Sequence, residues 1–284
     1  MYFTRISFLC ILVLTLASCQ KEYSFESDGD GPQPNSGLLI KTFIEDIGAT
    51  MESRFDYNSA DLMTGTKIDL LAGNFSASVI TDVVRDANGR INSAKMKYKT
   101  SLSADSITFT YTFSRNAAGR INYYIVSGEP SFAGYDSILC TYSTANKLIG
   151  ALSFYVDHGT GLAEPSQLFE YTFNGNNLVA MKSYDLENSP TTPRLVETVT
   201  LEYDNRPAPM VLTEDEFILG MGHGVPSANN VTRNITINED DPDENVTTEY
   251  QYTYGTNGKP LTAVILTTRP GIPTGQGKIT FFYQ

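Results

Sequence analysis

The sequence predicts an all-β protein, an antiparallel meander of about fourteen strands in seven hairpin repeats, curled into a wide barrel or half-barrel. Three observations predict it: turn-forming clusters at nearly constant spacing, runs of alternating polarity between them, and no long stretch of helical periodicity. Only Met210 to Leu219 allows a turn or two of helix.

The clusters are Asn58-Ser59, Asn88-Gly89, Ala118-Gly119, Asn146-Lys147, Gly175-Asn176, Asn205-Arg206 and Asn257-Gly258. All but the last two follow one another at intervals of about thirty residues, the length of one supersecondary unit. Before each cluster runs an alternating segment. Ile107, Phe109, Tyr111 and Phe113 alternate with Thr108, Thr110, Thr112 and Ser114, and Tyr250, Tyr252 and Tyr254 alternate with Gln251 and Thr253. Period two sends neighbouring side chains to opposite faces of a strand, and threonine and aromatics suit that pleated surface. Asn-Gly between such runs signals a hairpin, because both residues tolerate positive φ.

An open meander of that size tends to curl or close, and closure removes exposed edges. A barrel so wide is not filled by its own side chains. It must hold water, a ligand or a plug. The interval between Asn205 and Asn257 is longer than the rest, so an insertion near 206–232 interrupts the repeat. Rich in Pro, Gly and Met, it is the natural cover or plug.

The phrases Tyr111-Thr112-Phe113-Ser114-Arg115-Asn116-Ala117-Ala118-Gly119-Arg120-Ile121 and Tyr252-Thr253-Tyr254-Gly255-Thr256-Asn257-Gly258-Lys259-Pro260-Leu261 resemble the YD repeats of secreted wall and toxin-shell proteins. With Asn229-Asn230-Val231-Thr232, the pattern over residues 38–284 is similar to a group of exported Bacteroidota lipoproteins of unknown function with a porin-like fold. The resemblance implies a fold and a compartment. It brings no catalytic residues.

The N-terminus reads as an address. Arg5 is the only charge ahead of Cys19, and the apolar run Ile6 to Leu16 is too short to span a bilayer. Leu16-Ala17-Ser18-Cys19 resembles the lipobox of bacterial lipoproteins, which implies a signal peptide over 1–18 and lipidation of Cys19. An ordinary signal peptide cut near Ala17 is the alternative. Gln20-Lys21-Glu22 resembles the tag that sends Bacteroidota lipoproteins to the cell surface, with a periplasm-facing protein as the alternative. Residues 19–36 carry Glu22, Glu26, Asp28, Asp30, Pro32 and Pro34, too little apolar surface to order a fold, so an acidic tether precedes a single domain over 37–284.

The formal net charge of −12 argues against nucleic acid as a partner. Of three cysteines, Cys10 falls in the leader and Cys19 in the lipobox, so Cys140 has no disulfide partner and reads as a small buried hydrophobe. His158 and His223 sit in Gly-rich segments without metal-ligand spacing, and Asp28 to Gly31 lacks the glutamate of a calcium loop. Glu239 to Glu244 reads as a solvated loop rather than a cation site. No metal and no cofactor are expected. Asp105-Ser106-Ile107 and Asp136-Ser137-Ile138 resemble the O-glycosylation motif of exported Bacteroidota proteins, which makes Ser106 and Ser137 candidate acceptors.

These features predict a non-enzymatic surface module for binding or adhesion, tied to the membrane through Cys19, with glycan, peptide or a hydrophobic molecule as ligand. A structural envelope protein is the second reading. A hydrolase built on carboxylates from several strands is the third.

Overall fold

A computed structural model describes residues 37–46, 48–103, 105–129, 137–145, 147–156, 162–186, 192–221 and 225–284. Sixteen strands form one sheet: β1 (Leu39–Asp46), β2 (Ala49–Tyr57), β3 (Met63–Ala72), β4 (Phe75–Arg85), β5 (Ile91–Thr100), β6 (Ile107–Arg115), β7 (Ile121–Glu129), β8 (Ser137–Tyr142), β9 (Leu148–Val156), β10 (Ala163–Asn174), β11 (Asn177–Asp185), β12 (Arg194–Pro207), β13 (Asn229–Asn238), β14 (Val246–Tyr254), β15 (Pro260–Arg269) and β16 (Ile272–Tyr283). Each pairs antiparallel with its sequence neighbour, and β1 pairs with β16, which closes the barrel.

The all-β meander predicted above is present, with two strands more than the turn clusters suggest. Six of the seven clusters fall between strands, from β2 and β3 to β14 and β15; Asn205-Arg206 instead lies at the end of β12, and the insertion after it makes the connection to β13. The terminal strands β1 and β16 have no such cluster between them, because the closing ladder joins them instead. Leu38 and Gln284 meet there, with the Gln284 N–H donating to the Leu38 carbonyl at 3.0 Å.

Asn88-Gly89, Ala118-Gly119 and Asn257-Gly258 fold as type I turns rather than the two-residue turn that Asn-Gly suggests, whereas Gly175-Asn176 is a two-residue turn between the paired Asn174 and Asn177. The Gly89 N–H donates to the Asp86 carbonyl and the Asp86 N–H to the Arg90 carbonyl. Asp86 Oδ1 also accepts from the Asn88 and Arg90 amides, an Asx arrangement that favours type I. Positive φ is then needed only at the glycine that follows, at 79° in Gly89, Gly119 and Gly258.

Just before each cluster the ladder slips at one position: Asp56/Tyr57, Val84/Arg85, Ser114/Arg115, Thr141/Tyr142, Thr172/Phe173, Glu202/Tyr203 and Thr253/Tyr254. A bulge re-aims the side chain it carries. Here it sets a bulky residue at the same end of the barrel in every repeat. The residues that open the following strands, Ile91, Ile121, Leu148 and Leu178, are fully buried beneath them.

At the closing seam, Gly277 leaves no room for a side chain. A Cβ there would lie 2.8 Å from the Glu45 carbonyl oxygen of β1. Gly277→Val should therefore lower stability by about 1–3 kcal/mol, as overpacking does in tight interiors. Thermal denaturation followed by circular dichroism measures it.

Candidate functional site

The alternation sorts the barrel wall into two chemically distinct faces. Cross-strand pairing places Phe109, Tyr111 and Phe113 of β6 beside Gly128, Val126 and Tyr124 of β7, and Tyr250 and Tyr252 of β14 beside Ile265 and Ala263 of β15. These side chains face the lumen. The intervening residues, among them Lys95, Lys97, Asp82, Glu170, Lys182, Glu202 and Glu249, are exposed on the outside. A membrane-spanning barrel has the reverse arrangement, an apolar outer band around a polar interior. One outer sector differs: Tyr123, Leu139, Leu152, Leu168 and Tyr184 adjoin across β7 to β11. Glu170 and Lys182, both exposed, border that row, so it is a patch and not a belt.

The end that carries the turn clusters is closed by the predicted insertion. Between β12 and β13 the chain turns into the barrel and forms a short helix, Glu214–Ile218. Its start is a capping box: Thr213 Oγ1 accepts from the Glu216 amide at 3.3 Å, and Glu216 Oε2 accepts from the Thr213 amide at 2.8 Å. At its end the Gly220 amide donates to the Phe217 carbonyl and the Met221 amide to the Glu216 carbonyl, a Schellman closure. Leu212, Leu219 and Met221 pack with Phe55, Met63, Val83 and Phe281 from several strands. On the opposite side Phe217 sets its ring edge-on to Tyr171 at 5.5 Å.

Three consecutive acidic residues lock this plug. Glu216 accepts from Arg85 at 2.6 Å, Asp215 from Arg115 at 2.7 Å, and Glu214 from Arg120 at 2.9 Å. Glu214 Oε1 also accepts from the Leu148 amide at 3.1 Å. Two of the arginines, Arg85 and Arg115, stand where other repeats carry tyrosine. In those repeats Tyr57, Tyr142 and Tyr283 donate to the carbonyls of Leu39, Ile121 and Pro260 at 2.8–2.9 Å, and Tyr203 donates to that of Leu178. Arg85 and Arg115 make the equivalent bonds to the Met63 and Ile91 carbonyls. A guanidinium has donors to spare for the plug carboxylates, which a phenol lacks.

Towards the far end the lumen lining changes. Met51, Ile68, Leu70, Val79, Tyr98 and Phe109 face inward yet are only half-buried, whereas the residues against the plug are buried. Among the described residues no element crosses the lumen there. A carboxylate of β12 faces this region. Glu197 of β12 lies opposite Ser183 and Asn238, and burial pushes its carboxyl up to about 7.

The residues singled out in the sequence fall in several places. Cys19, the signal peptide over 1–18 and the tether over 19–36 lie outside the described residues, as do His158 and His223. Cys140 is buried, and burial pushes its thiol up to about 12. Ser106 is exposed just ahead of β6, while Ser137 is the buried first residue of β8, so the structure does not bring them together. Pro242–Glu244 form a short 3-10 turn in an exposed loop, where Asp240 pairs with Arg194. Sequence reasoning passed over the three arginines and Glu197. The substitution of arginine for tyrosine at one repeat position was the available signal for Arg85 and Arg115.

No family model matches the chain, and no curated protein matches it. Among solved structures it is similar to a porin-like protein from Bacteroides uniformis at 16% identity, with a TM-score of 0.52, covering 87% of this chain and 98% of the other. A second, from Bacteroides vulgatus, is 8% identical with a TM-score of 0.39 over 88% and 99% of the two chains.

Breaking the Arg85–Glu216 pair should be costly because both side chains are over nine-tenths buried. Glu216→Ala should lose about 3 kcal/mol or more, the cost of stranding a buried charge. Arg120→Ala, whose side chain is 43% exposed, should lose under about 1 kcal/mol. Urea denaturation of both variants checks the contrast. A second expectation concerns Glu197. Its folded value lies above the ordinary carboxyl value of 4.5, so the unfolded chain ionises first and stability falls as pH rises between 4.5 and about 7. Glu197→Gln should raise the melting temperature at pH 8 and leave it unchanged at pH 4. Calorimetry at both values tests the sign.

Proposed function

We propose that the chain is a binding protein of the cell envelope that holds an apolar molecule inside its barrel. The observation that carries this reading is the inside-out wall, with aromatic and aliphatic side chains in the lumen and charged ones outside. Removing apolar surface from water stabilises a complex by roughly 25 cal/mol per Å². Half-buried Met51, Ile68, Leu70, Val79, Tyr98 and Phe109 offer such surface to a guest. The plug, fixed by three ion pairs, argues for retention rather than passage.

A leader over 1–18 and a lipid on Cys19, as the sequence suggests, would put this binding protein at the outer membrane, held by the lipid rather than by the barrel. The described chain begins at the plugged end, beside Gln284. A tether over 19–36 would therefore hold that end toward the membrane and turn the far end away. The ligand preferred is a hydrophobic molecule rather than a glycan, because Met51, Ile68, Leu70, Val79, Tyr98 and Phe109 put aliphatic and aromatic surface on the half-buried part of the lining.

The test is fluorescence titration with N-phenyl-1-naphthylamine, a neutral dye that brightens in apolar surroundings. Saturable binding is expected. Leu70→Glu and Val79→Lys, both inside, should abolish it with an unchanged far-ultraviolet spectrum. Lys97→Glu, outside, should leave it intact. No saturable emission, or equal loss in all three variants, would overturn the proposal.

A further inference from the structure

We propose that Glu197 is the headgroup site of this lumen and that it selects amphiphiles carrying a protonated amine on an apolar body, an inference that rests on the lumen reading above. The placement comes from register. Glu197 shares its face of β12 with Val199, Leu201 and Tyr203, which pack in the core. A single cross-strand row runs Ala151, Phe169, Ser183, Glu197, Asn238, from β9 to β13. The carboxylate thus stands in the inner wall with small polar groups on either side and an aromatic ring two strands away.

Its isolation is what points to a ligand. Among the described residues, Glu197 accepts no hydrogen bond and joins no ion pair, and burial alone accounts for its raised value. Arg194, three residues away in sequence, is engaged by Asp185 and Asp240. Asn238 donates its side-chain amide to Glu244 at 3.0 Å instead. A partly desolvated carboxylate without a partner is costly to the fold, and such groups gather at functional sites.

The complement of an unpaired carboxylate in an apolar wall is a cation with hydrogen-bond donors. An ammonium head supplies both, and its alkyl or ring body would lie along the aliphatic and aromatic lining. A fatty acid would bring a second negative charge and be repelled. A long-chain alcohol can donate one hydrogen bond to the carboxylate but brings no positive charge to offset it. The far end also favours cations at a distance: Asp240, Asp241, Asp243 and Glu244 are exposed in the β13–β14 connection. An acidic rim raises the local concentration of a cationic guest.

The experiment is displacement of N-phenyl-1-naphthylamine by octylammonium and by octanol, each below its aggregation limit, at pH 8 with the full chain. Octylammonium should displace the dye at about tenfold lower concentration than octanol, the advantage of an opposite charge beside the carboxylate. Glu197→Gln should erase that difference while still binding the dye. Glu202→Gln, which changes an exposed carboxylate on the outer face of the same strand, should preserve it. Equal displacement by the two compounds in the unaltered chain, or a preference retained in Glu197→Gln, would overturn the assignment while the lumen reading stands. Failure of the dye itself to bind would overturn both.

Discussion

The ladder between β1 and β16 is the constraint on which the rest of the molecule depends. It pairs Thr42 with Phe281 and Ile44 with Ile279, and so turns a sheet with two faces into a wall with an inside and an outside. Once the wall is closed, period-two alternation decides the chemistry of each side without further instruction. Most aromatic residues fall inside, with buried Thr42, Ser53, Thr66 and Thr81 among them, and most charged residues fall outside. Gly277 belongs to the same seam. Gly277 lets the two terminal strands approach where any side chain would hold them apart.

Closure leaves a second problem, the unfilled width. The protein solves it at one end by making the repeat carry both wall and fastening. In each repeat a bulge turns a bulky side chain inward above a fully buried aliphatic residue. Where the plug helix meets the wall, two of these side chains are arginine. They keep the tyrosine-like bond to a neighbouring carbonyl and add a charged bond to the plug. The three carboxylates lie in the first turn of the helix, where the exposed amides favour negative charge. The same ion pairs therefore serve the helix and its docking.

Much of the wall was legible in the sequence because alternation and turns are local. Phe109, Tyr111 and Phe113 declare a strand without knowledge of what lies beside it. The insertion was legible as a break in the repeat, and Met210 to Leu219 as room for a turn or two of helix. What escaped were the properties set by distant pairing. The turn clusters could not count β1 and β16, whose partnership joins opposite ends of the chain. Asn88-Gly89 suggested a two-residue turn, but Asp86, two positions earlier, supplies the side-chain bonds that select another type. Glu197 looked like one carboxylate among many, since only the register against Ser183 and Asn238 shows that it faces inward. The leader and Cys19 lie beyond the described residues, so the address rests on sequence alone.

The barrel shares its fold with a porin-like protein from Bacteroides uniformis, yet charged side chains such as Lys97, Glu202 and Glu249 are exposed on its outer face, where a membrane-spanning barrel carries an apolar band. The measurement that bears most directly on this is nitroxide accessibility at outward positions, with labels at Lys97→Cys and Gln251→Cys in the full chain mixed with lipid vesicles. The account predicts strong relaxation of both labels by a water-soluble nickel chelate. Protection from the chelate, together with strong relaxation by oxygen dissolved in the bilayer, would contradict it.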